Sequence, residues 1–318
     1  MNMKKKALPL AVAAAMVPGF AAAADTSGYT DVIYTITDEN AGVSQVANED
    51  KFTASGEIDV SASPTDGATA RVDVDLMLDP AGGGDSAVLE QAFFAWGAPA
   101  NMTVIGGVFN NPIGYEAEDR PDRTFSTRGY VYSILDGQTA LHGNNVAGLA
   151  LAAPVGPATA TIAYLNDLGQ TNEENSVAVV INYSPLQGLD LELGFATQAD
   201  QTQNAASAED ITDFNVVYMP SQVAGLSVGL DYLTTGKIVD AAYDLWAGYD
   251  FGNGFGVALR FSDVDYTTAS ANADADATSF QVSYQIASNL STSLEMRSES
   301  PEGSADNDDL LLEFVATF

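Results

Sequence analysis

The segment Asn110–Leu141 crowds acids and bases together: Glu116, Glu118, Asp119, Asp122 and Asp136 beside Arg120, Arg123 and Arg128. Tyr115 opens the charged part, and Pro112, Gly114 and Pro121 would fix its course. Carboxylates and guanidiniums interleaved this closely can pair with one another and hold the segment as a surface flap. Beside a narrow aqueous passage they can also decide which ions enter. Covalent chemistry has little to work with. The chain has no Cys, which removes thiolate nucleophiles, thiolate zinc sites and disulfides. Its single histidine is His142. A Ser/His hydrolase would have to use it, yet no motif holding a strained nucleophilic Ser is present, and one imidazole is a minimal basis for acid–base or metal chemistry. The acidic runs Asn272–Asp276 and Asp306–Asp309 lack the Gly and Glu spacing of a calcium loop and read as solvated loops. No cofactor and no metal are expected.

Composition narrows the setting. The 318 residues include 43 Asp+Glu and 11 Lys+Arg, for a net charge of −32. Nucleic acid is excluded as a partner, because phosphate neutralisation needs clustered cations. Hydrophobic residues make up 46%, too many for an acidic disordered chain, while only 17% are charged. Lys4, Lys5 and Lys6 precede an apolar stretch from Ala7 to Phe20 and the small residues Ala22-Ala23-Ala24. This is the pattern of a secretory signal peptide over 1–24, leaving 25–318 as one mature domain. The longest later apolar stretch, Val146 to Ala158, contains Pro154 and Pro157 and is too short for the roughly 20 residues of a helical span.

The elements that carry these charges have a period of two. In Lys51–Ser63, Phe52, Ala54, Gly56, Ile58, Val60 and Ala62 alternate with Thr53, Ser55, Glu57, Asp59 and Ser61. In Ala68–Asp79, Val72, Val74 and Leu76 alternate with Arg71, Asp73 and Asp75. A strand sorts such sets onto opposite faces, whereas a helix would scatter them. The pattern recurs to the last residue. Short turns such as Pro64–Gly67 and Pro185–Gly188 alternate with mostly longer acidic loops, giving 16 strands with both termini on the short-turn side. Even strand number, alternating loop length and strands of about 9–11 residues are the marks of an antiparallel transmembrane β-barrel. A soluble β-sandwich or β-solenoid also alternates, but it has no reason to alternate loop length, and no 20–50-residue repeat supports a solenoid.

The ending Leu310-x-Leu312-x-Phe314-x-Ala316-x-Phe318 resembles the C-terminal signal of Gram-negative outer-membrane porins, with Phe314 and Phe318 as its aromatic residues. Gly107-Val108-Phe109-Asn110-Asn111-Pro112-Ile113-Gly114-Tyr115-Glu116, with Leu141-His142-Gly143 downstream, resembles the OmpL-like β-barrel porin family. Such proteins often carry Lys where Val108 stands. The resemblance implies an outer-membrane location, passive diffusion of small hydrophilic solutes and a homotrimer. It also implies contact with lipid and lipopolysaccharide, and insertion by the barrel-assembly machinery. It implies, too, that the third external loop, here Asn110–Leu141, folds into the barrel. The alternatives are a non-conducting structural or adhesive barrel and an outer-membrane hydrolase.

Sixteen strands enclose more space than wall side chains fill. The candidate constriction is therefore Tyr115, Glu116, Glu118, Asp119, Arg120, Asp122, Arg123 and Arg128, and the candidate wall is Arg71, Asp73, Asp75, Arg260, Glu295 and Arg297. Because strand 16 would close on strand 1, the three wall arginines fall in one sector, and an acidic loop facing them would create a transverse field. Other polar-face charges, including Glu57, Asp59, Glu192, Asp231 and Asp244, are acidic and suggest mild cation selectivity. Strand 4 conflicts with the pattern: if Val88, Ala92, Phe94 and Trp96 face lipid, so does Glu90. Either its register is reversed, with Gln91 outward, or this face packs on another subunit.

Overall fold

A computed structural model describes residues 24–39, 51–77, 86–139, 141–169, 174–198, 210–268 and 270–318. The expected signal segment, apart from Ala24, lies outside the described residues, as do parts of several long loops. Sixteen strands follow in order. They are β1 (Asp25–Glu39), β2 (Lys51–Thr65), β3 (Ala68–Met77), β4 (Ser86–Ala98), β5 (Met102–Asn110), β6 (Asn145–Val155), β7 (Ala158–Asn166) and β8 (Asn175–Leu186). The second half is β9 (Leu189–Thr197), β10 (Ile211–Tyr218), β11 (Leu226–Thr235), β12 (Val239–Asp250), β13 (Phe255–Tyr266), β14 (Ala275–Ala287), β15 (Leu290–Pro301) and β16 (Asn307–Thr317). Each pairs antiparallel with its sequence neighbours, and β1 pairs with β16, so the sheet is a closed barrel. The seam ends in reciprocal backbone bonds: Gly28 N donates to Phe318 O at 3.2 Å, and Phe318 N donates to Gly28 O at 3.0 Å.

The two faces are chemically inverted relative to a water-soluble protein. Large apolar side chains such as Ile58, Val72, Leu193, Leu259, Phe280 and Leu294 are exposed on the outside. Their alternating neighbours Glu57, Asp73, Glu192, Arg260, Ser279 and Glu295 are buried within. Hydrocarbon cannot hydrogen-bond a carboxylate or an open strand edge, so this arrangement suits lipid outside and a polar interior. Tyr183, Tyr249, Phe251, Phe255 and Phe318 stand exposed near the short-turn end, where an aromatic girdle would lie.

Strand β4 resolves its conflict in a way the alternation did not suggest. Asp73 pairs with Gln91, but Val74 pairs with Leu89, so the register slips by one residue at Glu90. Leu89, Phe94 and Trp96 remain exposed outside while Glu90 and Gln91 are both buried. A β-bulge inserts one residue and re-aims its side chain. Neither a reversed register nor a covering subunit is needed to keep Glu90 out of lipid.

The interior also differs from a uniformly polar wall. Inward Phe109, Val146, Leu165, Val180, Ile211 and Leu233 form an apolar cluster with Ile113, Val131, Ile134 and Leu135. These last four belong to the segment between β5 and β6, which includes the α-helix α1 (Tyr130–Gln138). The barrel therefore has a local core inside it, built where that segment packs.

The inversion predicts asymmetric costs. Leu259→Arg, on the lipid face near the middle of β13, should lose about 2–4 kcal/mol in reversible denaturant unfolding from bilayers. Ser283→Arg, which points into an interior cavity of about 330 Å³, should cost well under half of that. Equal losses would contradict the assignment of faces.

Candidate functional site

The segment from Asn111 to Asn144 turns into the barrel and follows its inner wall. Asn111 starts the turn: its Nδ2 donates to Asn144 Oδ1 at 3.1 Å, and its Oδ1 accepts from Ile113 N at 3.1 Å. Ile113 then lies against Gly194 of β9, where a β-carbon would collide with it. Tyr115 N donates to Asp231 Oδ2 at 2.9 Å, and its ring stacks on Trp246 with centroids 5.2 Å apart. Glu116 stands between Arg260 of β13 and Arg128 of the loop, at 3.4 and 3.3 Å. Asp119 reaches Arg71 of β3 at 4.0 Å. Arg120 forms a bidentate pair with Glu313 of β16, with 8% of the arginine side chain exposed and none of the glutamate.

The return path is hydrogen-bonded just as densely. Ser126 N donates to Gln281 Oε1 at 3.1 Å, and Thr127 N donates to Glu295 Oε2 at 3.0 Å. Arg260 Nη2 and Arg297 Nη1 donate to Arg128 O at 3.0 and 3.2 Å. Helix α1 has Gly129 at its N-cap with no side chain to cap it. Asp244 of β12 does so from the wall, accepting from Tyr130 N at 3.1 Å and Val131 N at 3.0 Å. A carboxylate at a helix N-terminus satisfies orphan amides and the helix dipole together. Gly129 is required for this approach, since a β-carbon there would strike Asp244. His142 Nε2 finally meets Asp75 Oδ2 of β3 at 2.6 Å. That hydrogen bond pushes the imidazole pKa up, against the opposing effect of burial.

Three arginines also lie over aromatic faces: Arg128 over Tyr132 at 3.7 Å, Arg260 over Phe125 at 4.5 Å and Arg297 over Tyr130 at 5.5 Å. Such contacts compensate a cation that has lost water.

The protein family described as "Putative beta-barrel porin-2, OmpL-like" matches residues 25–315. The chain belongs to this family. The porin fold also has solved neighbours. Salmonella typhi OmpF, solved in complex with daunomycin, superposes with a TM-score of 0.67 at 13% identity, covering 93% of this chain and 97% of that one. A three-substitution mutant of Rh. blastica porin gives 0.61 at 20% identity, covering 93% and 100%. Another Rh. blastica variant gives 0.62 at 20% identity with the same coverage. No curated protein matched the sequence.

In this porin-family barrel the residues singled out by sequence gather in one interior region, but their charges do not sort as an acidic loop against a basic wall. The wall offers Glu313, Glu295 and Asp244 as well as Arg260 and Arg297, and the loop answers with Arg120, backbone amides and Glu116. Arg71 is turned mostly to its own acids, 2.7 Å from Asp73 and 3.0 Å from Asp59. Asp122 and Arg123 lie in the same stretch, and Arg123 donates to Ser126 O at 2.6 Å. Sequence reasoning missed Glu313, Gln281 and α1. The helix had a signal: Val131, Ile134, Leu135 and Gln138 are all buried and spaced i, i+3, i+4, i+7.

The docked loop can be tested at two points. Removing one member of a buried ion pair strands the other, a cost of about 3–5 kcal/mol. Arg120→Ala should therefore undock the loop and make the bonds after Arg123 and Arg128 rapidly cleavable by trypsin in the folded barrel, while the unaltered protein resists. Glu116 gives a pH signature. Burial pushes its pKa up, but Arg128, Arg260 and Arg123 outweigh this and hold it below the usual carboxylate range. Its contribution to docking is therefore complete above that range and lost as pH falls through the depressed value. Gly129 N donates to Glu116 Oε2 at 2.9 Å. Exchange protection at Gly129, corrected for intrinsic rate, should fall in acid, and Glu116→Gln should abolish the step.

Proposed function

We propose that this chain is an outer-membrane porin through which ions and small hydrophilic solutes diffuse passively, narrowed by the inserted loop and mildly selective for cations. The observation that supports this reading best is the closed sixteen-strand barrel whose apolar residues face outward and whose polar residues face inward. A water-filled passage needs such a wall, and membership in a β-barrel porin family accords with it. Residues 1–24 would direct export and be removed. Phe314 and Phe318 would serve the barrel-assembly machinery, lipid and lipopolysaccharide would surround the barrel, and three copies would assemble. No cofactor enters the mechanism: solutes pass by size and charge.

Tyr115, Glu116, Glu118, Asp119, Arg120, Asp122, Arg123 and Arg128 would define the narrow zone against Arg71, Asp73, Asp75, Arg260, Glu295 and Arg297. Cation preference follows from the balance of fixed charge. Arg120, Arg128, Arg260 and Arg297 are engaged in docking, and acidic side chains outnumber arginines on the inward face of the wall. Negative charge in a low-dielectric enclosure raises the local concentration of cations.

A second reading, a barrel occluded by its own loop, is favoured by the loop's contacts with β3, with β11–β13 and with β14–β16. A hydrolase is less well supported, because among the described residues His142 meets Asp75 and no serine hydroxyl.

Planar-bilayer recording decides between these readings. The porin reading expects discrete channels in KCl, a reversal potential in a salt gradient that favours potassium, and liposome swelling with small sugars. Deleting 115–128 should raise unitary conductance. A silent wild type that conducts only after the deletion would favour occlusion. Unchanged conductance would remove the loop from the constriction.

A further inference from the structure

The pairing of β2 with β3 places acid opposite acid twice in succession: Asp59 faces Asp73, and Glu57 faces Asp75. Like charges directly across a strand pair repel. The first pair is bridged by Arg71, at 3.0 Å from Asp59 and 2.7 Å from Asp73. The second is not. Arg71 stands 3.7 Å from Glu57, outside hydrogen-bonding distance. His142 meets Asp75 at 2.6 Å, and the β4 bulge adds a third acid. Carboxylate oxygens of Glu57, Asp75 and Glu90 all lie within 4.8 Å of one another.

An acidic cluster alone could be held by water and shared protons. Two side chains here are harder to explain that way. Glu57 is 2% exposed, and neither of its carboxylate oxygens accepts a hydrogen bond. Glu90 is 1% exposed; its Oε1 has only long contacts of 3.4 Å to amides of Gln91 and Asn145, and its Oε2 has none. Glu118 and Asp119 of the inserted loop add negative charge nearby. Two oxygens bound to one calcium at 2.3–2.6 Å can stand at most about 5.2 Å apart, so this spacing suits a shared ion. The donors are hard oxygens without sulfur, which disfavours soft metals.

We propose that Glu57, Asp75 and Glu90 bind a divalent cation, calcium by its donor chemistry, at the inner wall where β2, β3 and β4 meet. The ion would add to the positive charge of Arg71, 3.7 Å from Glu57, and of His142 against Asp75, which one more acid, Glu90, outweighs. It would tie the bulge of β4 to β2 and β3, and lie beside the loop acids Glu118 and Asp119. His142 would orient Asp75 from the loop side.

Binding can be read without any membrane, so its outcome is separate from whether the barrel conducts. The mature barrel is refolded in detergent free of lipopolysaccharide, stripped with chelator and titrated with CaCl₂ in a calorimeter. One saturable site per barrel is expected, in the roughly 10⁻⁴–10⁻³ M range of extracellular calcium modules or tighter, with magnesium weaker. Glu90→Gln and, separately, Glu57→Gln should weaken calcium by about tenfold or more, as loss of a charged ligand does. Asp274→Asn/Asp276→Asn, in the acidic run where β14 begins, should leave it unchanged. Heat-modifiable gel mobility identifies folded barrels, and two independent variants guard against one failing to refold. Absence of saturable binding, or equal affinity in wild type and both folded Gln variants, would overturn the proposal and leave the cluster to shared protons.

Discussion

A strand inside hydrocarbon has no water to satisfy its amides and carbonyls, so every edge must be paired. That requirement is met here by one contact made late in the chain, the pairing of β16 with β1, from Tyr29 opposite Thr317 to Glu39 opposite Asn307. Once the ring closes, alternation becomes compulsory. One face of every strand meets lipid and the other meets the enclosed space. A chain with 43 acidic residues can then place none of them on the outer face of the membrane zone without a cost of several kcal/mol. Glu90 shows the force of this constraint. The strand gives up its regular register rather than expose one carboxylate to lipid.

Sending the acids inward transfers the difficulty to the interior, where charge is also partly withdrawn from water. The chain has few cations with which to solve it, and it shares Arg260 and Arg71 among several partners. Arg260 serves Glu116, Thr127 O, Arg128 O and the Phe125 ring. Arg71 serves Asp59, Asp73 and Asp119. Elsewhere the loop supplies hydrogen-bond donors in place of charge. Asp231 receives the Tyr115 amide, Glu295 the Thr127 amide and Asp244 two amides of α1. Backbone N–H groups stabilise a carboxylate without adding a full positive charge. The loop is thus held by the wall's acids, and the wall's acids are made tolerable by the loop.

The barrel was legible because period-two alternation is a local property repeated sixteen times, and turn residues punctuate it. Phe52 to Ala62 declares its face without reference to any other strand. The charged loop was legible as a group for a similar reason, since its residues are close in sequence. Their partners were not. Arg120 and Glu313 are 193 residues apart, and Tyr130 and Asp244 are 114 apart. Nothing in either local stretch names the other. Helix α1 was hidden differently: its apolar spacing at Val131, Ile134 and Leu135 lies at the end of a segment whose acids and arginines drew the reading to charge. The bulge at Glu90 is an intermediate case, in which the conflict could be read from sequence but its geometric resolution could not.

The economy of cations links two properties that would otherwise be independent. In a barrel rich in arginine, some could hold a loop and others could set the polarity of the passage. Here Arg120, Arg128, Arg260 and Arg297 are all bonded to loop or wall partners that fix the inserted segment. The inward carboxylates of Glu57 in β2 and Glu90 in β4 lie outside these ion pairs. A substitution that removes one of these arginines therefore acts twice, loosening the segment and making its surroundings more negative. Replacing Glu57 or Glu90 alters the charge inside the barrel without touching the ion pairs of Arg120, Arg128 or Arg260. Loop stability and lumen charge can thus be separated in this barrel only from the acidic side.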